Sequence, residues 1–232
     1  MSTPNFRFKQ FTIWHDKCAM KVGTDGVLLG AWCPVDFHIS SFSHFHILDV
    51  GTGSGLIARM LMQRCPEAEV EGIDIDEKAV EQAKENGVKA FVSSLQDWHG
   101  SYDLIVSNPP YFQNSLKNPD KGREMARHTD TLSYEELVKH SARLLTMHGQ
   151  LAVILPAEAE TEIREIAARY SLYYTHITRV YSKETKPARR VLLLFEMSRS
   201  RDLEMTTDTL VLEDEKGGRS AAYSELCKEF YL

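Results

Sequence analysis

The stretch "HILDVGTGSGL", residues 46–56, joins a short apolar run to three alternating glycines and the first residue of a helical pattern. An apolar run that ends in a glycine turn before a helix is typical of ligand-binding α/β proteins. Glycine permits a positive φ and lets a ligand approach the backbone closely. The turn at Gly51, Gly53 and Gly55 is therefore the first candidate binding site.

Strand and helix patterns alternate on both sides of this turn. The predicted strands that alternate with helices lie at residues 46–50, 68–75, 88–93, 102–107 and 149–156. The last helix before residue 149 is predicted to start at the capping box Ser133–Glu136 and to end at Gly149. No helical pattern separates the strands at 173–181 and 189–197, which favours an antiparallel pair.

This order predicts an α/β fold: a doubly wound, Rossmann-like sheet of seven strands that ends in an antiparallel hairpin. A chain of 232 residues suits one such domain, residues 1–232, with residues 1–45 as an N-terminal extension packed on the core.

The composition, 43% hydrophobic and 26% charged, is that of an ordinary globular protein. The four cysteines are scattered without a C-x-x-C pair, so the sequence indicates no metal site or disulfide and favours a cytoplasmic location. The N-terminus is polar and no apolar run approaches membrane-spanning length, so we expect no membrane association. The net charge of −6 argues against bulk attraction to nucleic acid, although basic residues cluster locally, for example at 117–127 and 183–190.

Acidic residues lie near the ends of the first two predicted strands and after the third. Asp74 lies about 20 residues beyond the glycine turn, where an acid binds ribose hydroxyls. Asp49 precedes a turn that lacks a basic residue, so it is expected to repel phosphate and attract a cationic ligand. S-adenosylmethionine, a sulfonium with a free α-amino group, fits both acids. Asp97 is a candidate acceptor for the adenine amine, with Leu95 against the ring; the alternative is a helix cap or a solvated loop acid.

The second motif is "DLIVSNPPYF", residues 103–112. In a doubly wound sheet the fourth strand lies beside the first, so Asn108 is expected to emerge opposite the glycine turn. Pro109 and Pro110 hold the chain extended, so the Asn108 side chain and the Pro109 carbonyl form two fixed acceptors beside Tyr111. This arrangement suits a planar amine that stacks on the ring and receives a methyl group. The alternative is a rigid loop with a core tyrosine.

The motifs "DVGTGSG" and "SNPPYF" resemble those of class I S-adenosylmethionine-dependent methyltransferases that act on exocyclic amines. The flanking segments at 6–32, 123–145, 186–197 and 223–232 resemble the bacterial tRNA(Val) adenine-N6-methyltransferase family. The resemblance covers nearly the whole chain. It implies a class I methyltransferase fold, cytoplasmic activity, and the adenine 3′ of the anticodon of a valine tRNA as target. No obligate protein partner is evident from the sequence.

The resemblance also implies further site residues. Thr24 and Asp25 in "KVGTDG" are expected near the methionine end of the cofactor; alternatively, Asp25 caps the helix at 27–32. Candidate substrate contacts lie in the segment after the second motif and in a C-terminal basic cluster. They are Phe112, Arg127, His128, Lys186 and Arg189. For Arg127 and His128 the alternative is a solvated basic pair.

Other functions fit part of the pattern. Methylation of a release-factor glutamine uses the same Asn-Pro-Pro-Tyr chemistry, but those enzymes carry a helical N-terminal domain. Guanine-N2 methyltransferases of rRNA usually have Phe at the position of Tyr111, and DNA adenine methylation usually requires an added recognition domain. The spacing of the glycine turn and the presence of Asp49 argue against a nicotinamide-dependent dehydrogenase. A non-catalytic tRNA-binding module would not need the acids together with Asn108.

Overall fold

The computed structural model describes residues 4–35, 45–109, 132–197 and 204–232. The strands are β1 (Asn5–Arg7), β2 (Thr12–Trp14), β3 (His46–Val50), β4 (Glu69–Asp74), β5 (Lys89–Val92), β6 (Tyr102–Ser107), β7 (Leu145–Pro156), β8 (Leu172–Tyr181), β9 (Ala188–Met197) and β10 (Thr206–Val211). The helices are α1 (Thr24–Trp32), α2 (Leu56–Arg64), α3 (Glu77–Glu85), α4 (Tyr134–Leu144), α5 (Glu160–Arg169) and α6 (Ala221–Leu226).

The main sheet has the order β5-β4-β3-β6-β7-β9-β8-β10 within the described residues. Strands β5, β4, β3, β6 and β7 are parallel, and β9 runs antiparallel to both β7 and β8. The doubly wound sheet and the antiparallel pair are thereby confirmed. Because the chain winds outward from β3 in both directions, the switch point lies between β3 and β6, where ligands bind in such sheets.

The described part of this sheet has eight strands, one more than the seven predicted. The added strand, β10, pairs parallel with β8 at the sheet edge, where Thr206 lies opposite His176. Its sequence "TTDTLV" has one buried residue, Leu210, and the four residues before Leu210 are polar and exposed. A strand with a single buried residue lacks the alternation from which strands are predicted.

Helices cover both faces of the sheet. On one face, α1, α2, α3 and α6 bury a core that includes Leu28, Met60 and Val80. On the other face, α4 and α5 bury a second core that includes Leu137 and Ile163. Because the parallel strands are covered on both sides, they read as continuous apolar runs in the sequence.

Side-chain caps define the starts of two helices. Asp76 accepts a hydrogen bond from the Lys78 amide at the start of α3, as predicted. Ser133 and Glu136 form the predicted capping box of α4. The predicted end of α4 at Gly149 is wrong, because the helix ends at Leu144.

The early end of α4 follows from tertiary pairing. Leu145 adopts an extended conformation and pairs with Tyr102 of β6, so β7 begins there and Gly149 lies inside the strand. The apolar spacing that continues through Leu145 therefore belongs to two elements, and a local pattern does not reveal this boundary.

The N-terminal residues contribute to the same core. Phe8 lies between the strands of the hairpin β1–β2 and Ile13 lies within β2, and both side chains are buried in the core with α1 and α2. α1 packs closely on α2, since a Cβ at Gly30 would lie 2.8 Å from Met60 Sδ. Near the start of α1, Gly26 lies against Leu56, the residue directly after the glycine turn. No helix in the described ranges is long and apolar enough to cross a membrane.

Candidate cofactor and substrate site

Two adjoining cavities lie where the parallel strands end, with volumes of about 540 Å³ and about 350 Å³. Both are lined by Met20, Gly51, Gly53 and Asn108. The larger cavity extends along the ends of β4 and β5, and the smaller one extends toward the start of α1. The two sequence motifs are thus brought together at the predicted switch point.

The glycine turn presents bare backbone to these cavities. Gly51 and Gly53 have φ values of +71° and +54°, and a Cβ built at either would meet no atom within 4 Å. A side chain at these positions would occupy the open space, so the turn is shaped for a ligand that approaches the backbone. Gly55 has a different role: it precedes α2 as its N-cap with φ +79°.

Asp74 lies at the end of β4 and lines the larger cavity. Its Oδ2 accepts from the Gly53 amide at 2.9 Å, and its Oδ1 accepts from the Asp76 amide at 3.0 Å. Each carboxylate oxygen can accept more than one hydrogen bond, so ribose hydroxyls can bind the same group. Asp74 therefore ties the glycine turn to the candidate ribose site.

Asp97 lines the opposite part of the larger cavity together with Leu95. Ser94 Oγ donates to Asp97 Oδ2 at 2.7 Å and accepts from the Asp97 amide at 3.2 Å. The exposed carboxylate is thus held by its own loop, and Leu95 is almost fully buried beside it. Asp74 and Asp97 border one cavity of a size suited to a nucleoside.

Asp49, which the sequence predicts to attract a cationic ligand, does not line either cavity, so its contact with a ligand stays a prediction. It is fully buried beneath the turn, where Oδ2 accepts from Thr52 Oγ1 at 2.8 Å and from the Ala58 amide at 3.2 Å. Successive side chains of a strand point to opposite faces, and Asp49 shares the face of Ile47, under α2. The carboxylate therefore satisfies a first-turn amide of α2, whose N-cap Gly55 has no side chain to do so.

Burial has a strong effect on this carboxyl group. Desolvation raises the pKa of Asp49 to about 7, although the bonds from Thr52 and Ala58 oppose the shift. The charged form is thus costly under the turn near neutral pH.

Thr24 and Asp25 line the smaller cavity, beside the glycine turn. Asp25 is not the N-cap of α1, which is Gly23; it is the acidic residue of the first turn. The Asp25 carboxylate instead accepts from Arg190 Nε at 2.9 Å. The first turn of α1 is thereby tied to β9.

Asn108 follows β6 and lies opposite the glycine turn, as its place in the sheet predicts. The preceding Ser107 is buried and donates to the Val50 carbonyl at 2.9 Å, so the ends of β6 and β3 are fixed together. Pro109 is buried and lines the larger cavity. The predicted contacts at Tyr111, Phe112, Arg127 and His128 lie outside the described residues.

Lys186 and Arg189 lie outside both cavities. Lys186 lies in the turn between β8 and β9, and Arg189 lies at the start of β9, near the end of β7, since Pro156 pairs with Arg190. Both residues are exposed. They therefore belong to a surface near the cleft rather than to its interior.

A wall of the larger cavity was missed in the sequence. Cys18, Ala19 and Met20 line it, and the chain before them is held to α3 by Lys17, whose amide donates to Gln82 Oε1 at 3.0 Å. Ile75, 54% exposed, lines the same cavity next to Asp74. Residues 18–20 show no periodicity that would indicate a role in the cavity. Ile75 could have been recognised, because it is an apolar residue directly after the acid that ends a strand.

Comparisons with known proteins agree with this geometry. Residues 37–170 match the family model described as methyltransferase small domain. A tRNA1(Val) (adenine(37)-N6)-methyltransferase of Bacteroides fragilis is 45% identical, covering 100% of this chain and 99% of that protein. A protein of the same name from Flavobacterium johnsoniae is 42% identical, covering 98% and 99%.

Solved structures share the fold at low sequence identity. A predicted O-methyltransferase of Agrobacterium tumefaciens has a TM-score of 0.64 and 18% identity, over 88% of this chain and 96% of that one. Magnesium protoporphyrin IX methyltransferase of Synechocystis, solved with S-adenosylmethionine bound, has a TM-score of 0.51 and 19% identity, over 73% and 76%. The fold is thus that of the class I methyltransferases, and the full-length relatives narrow the family. The chain belongs to the tRNA1(Val) (adenine(37)-N6)-methyltransferase family and is an S-adenosylmethionine-dependent enzyme.

Proposed function

We propose that the enzyme transfers a methyl group from S-adenosylmethionine to N6 of adenine 37, the base 3′ of the anticodon, in a valine tRNA in the cytoplasm. This is the reaction in the names of its full-length relatives. The observation that carries the proposal is the position of Asn108, which borders both cavities opposite the glycine turn. A side-chain amide there is within reach of a target amine and of the cofactor at the same time.

The described residues fit the cofactor. Asp74 would hold the ribose, Asp97 the adenine amine, and Gly51 and Gly53 would allow the backbone to approach it closely. Thr24 and Asp25 border the smaller cavity and would face the methionine end. When bound, S-adenosylmethionine supplies an electrophilic methyl group on a positively charged sulfur.

In the proposed reaction, Asn108 and Pro109 act as hydrogen-bond acceptors. The Asn108 side-chain oxygen and the Pro109 carbonyl would accept from the two N–H groups of the adenine amine. These bonds localise the nitrogen lone pair and stabilise the positive charge that develops on the amine. The proton then leaves the nitrogen to solvent, so no side chain with a low pKa is required. Tyr111 would supply the stacking face, which holds the flipped base in line.

The test is methylation of an unmodified valine tRNA transcript by the purified enzyme with S-adenosylmethionine. Mass spectrometry of the nucleosides should show N6-methyladenosine at position 37. A transcript with guanine at that position should not be methylated, because guanine O6 is an acceptor and would face two acceptors. Preferential methylation of other tRNAs, of duplex DNA or of a release-factor glutamine would contradict the substrate and leave the amine chemistry intact.

Two variants separate the roles of the chain's own residues. Asn108→Ala should lower turnover about 100-fold or more and leave cofactor affinity nearly unchanged. Asp74→Ala should weaken cofactor binding by roughly tenfold or more, since it removes the ribose acceptor and releases the Gly53 amide. Equal losses of cofactor affinity in both variants would contradict this division.

A further inference from the structure

The loop that carries Asp97 receives hydrogen bonds from an arginine of helix α4. Arg143, in the last turn of α4, donates from one Nη atom to three carbonyl oxygens: Trp98 O at 2.8 Å, Leu95 O at 3.2 Å and Gln96 O at 3.3 Å. Three carbonyl dipoles that converge on one point repel each other without a cation between them. The guanidinium therefore stabilises this particular shape of the loop.

Helix α4 also contacts this loop through a residue near the start of the helix. Gln96 Nε2 donates to Glu136 Oε1 at 3.3 Å, and Glu136 is also the capping-box residue at the start of α4. Residues 136 and 143 are seven apart, two helical turns, so they lie on one face of α4. That face spans the loop at residues 95–98.

The flanks of the loop are fixed to the sheet. The Ser93 amide donates to the Asp74 carbonyl at 3.0 Å, and Trp98 Nε1 donates to Tyr102 Oη at 2.8 Å. Between these points the chain is outside helix and strand, and here Leu95 and Asp97 line the larger cavity. The contacts from α4 thus act on the part of the loop that faces the ligand.

We propose that Arg143 is a positioning residue that sets adenine specificity, by holding the loop so that the Asp97 carboxylate accepts from the adenine amine. The proposal rests on the proposed role of Asp97 in cofactor binding. Arg143 itself does not line the cavity. Its effect is therefore expected in the binding of the adenine end rather than in methyl transfer.

The experiment compares two product analogues by calorimetry without tRNA. S-adenosylhomocysteine carries the 6-amino group, and S-inosylhomocysteine carries an oxygen there, which would face Asp97. The unchanged enzyme should prefer the adenine compound. Arg143→Met should weaken the binding of S-adenosylhomocysteine by roughly tenfold or more and reduce the preference for it over S-inosylhomocysteine. Arg143→Lys should restore part of the affinity and part of the preference.

Two further variants make the outcomes distinct. Asp97→Asn can donate to the inosine oxygen, so it should reduce or reverse the preference. Lys139→Ala removes an exposed cation from α4 without a described contact to the loop, so it should leave both affinities unchanged.

In activity assays with tRNA, Arg143→Met should raise KM for S-adenosylmethionine and leave kcat at saturating cofactor within about twofold. If Asp97→Asn keeps the adenine preference, the adenine site itself is misassigned. If Asp97→Asn loses the preference and Arg143→Met retains it, the positioning role is wrong. A proportional loss of both affinities in Arg143→Met, with a lowered melting temperature, would indicate a purely structural arginine and also contradict the proposal.

Discussion

At the scale of single residues, Asp49 shows how burial changes the role of an acid. Its spacing from the glycine turn predicts an acid beside the ligand, and the strand register directs its carboxyl group under α2. A signal was present in the sequence, since Asp49 alternates in phase with Ile47 and out of phase with Leu48. What the pattern does not contain is which face α1 and α2 cover.

The buried carboxyl group predicts a pH dependence of stability. The pKa of Asp49 is raised to about 7 by desolvation, above the ordinary value near 4 of an unfolded chain. The native state therefore binds the proton more tightly, and the stability that the protonated group provides is lost as pH rises from about 4 to about 7. Relative to Asp49→Asn, which stays neutral, the unchanged protein should lose on the order of 2–4 kcal/mol of unfolding free energy across this range.

The measurement is urea unfolding of both proteins between pH 4 and pH 8. Subtracting one plot of unfolding free energy against pH from the other removes the titration of all groups that the two proteins share. The remaining slope therefore reports the titration of Asp49 alone. A difference that does not change with pH would mean that Asp49 stays ionised throughout, with the α2 amides and Thr52 compensating its burial.

At the scale of elements, Gly55 fixes the way α2 leaves the glycine turn. Its φ is +79°, and a Cβ there would lie 2.7 Å from Val88 Cγ2 and 3.3 Å from Ala83 Cβ. Gly217 has a similar φ, +81°, but its Cβ would meet no atom within 4 Å. An alanine at Gly217 would therefore show the cost of backbone strain alone, and an alanine at Gly55 would show that cost together with a steric clash.

We predict that Gly217→Ala lowers the free energy of unfolding by about 1–2 kcal/mol, the strain of a left-handed alanine. Gly55→Ala should cost about 2–5 kcal/mol, because overpacking against Ala83 of α3 and against Val88, just before β5, is added to that strain. Chemical denaturation of the two variants checks the difference. Equal costs would show that Val88 and Ala83 move aside without strain.

Elements were predictable where their own residues specify them. The parallel strands are buried on both faces, and Asp76 and Ser133 mark helix starts by direct side-chain bonds. The end of α4 was not predictable, because Leu145 leaves the helix only through its pairing with β6. The strand β10 was missed for a similar reason: its pairing with β8 stabilises it, and its sequence alone does not.

At the scale of the whole molecule, the site is assembled from segments that are distant in sequence. Asn108 and the glycine turn were predicted to meet because the order of strands in a doubly wound sheet is restricted. The wall of Cys18–Met20 and the contact of Arg143 with the loop at 95–98 follow no such rule, since each depends on how one irregular segment docks. The sequence therefore predicts the site residues at strand ends, but it does not predict the residues that form the cavity wall or position the loop at 95–98.

The charge of the molecule restricts how it can bind a polyanion. With a net charge of −6, binding of tRNA phosphates must rely on a local group of cations. Lys183 and Lys186 lie in the turn between β8 and β9, and Arg189 and Arg190 lie at the start of β9, at the end of the sheet where the cleft lies. Lys183 pairs with Glu213 at 3.4 Å and Arg190 pairs with Asp25, so both are partly neutralised within the protein.

Lys186 and Arg189 are exposed and form no salt bridge within the described residues, so they are the members of this cluster best suited to phosphate contacts. The double variant Lys186→Ala/Arg189→Ala should therefore weaken tRNA binding and reduce the slope of log affinity against log salt by about one to two. The matched control, Lys84→Ala/Lys139→Ala, removes the same charge from exposed positions on α3 and α4 and should leave the slope unchanged. Filter binding of a valine tRNA transcript at several salt concentrations measures both. Equal effects of the two pairs would mean that only the overall charge matters, whereas an unchanged slope in the first pair would exclude this turn as the phosphate contact.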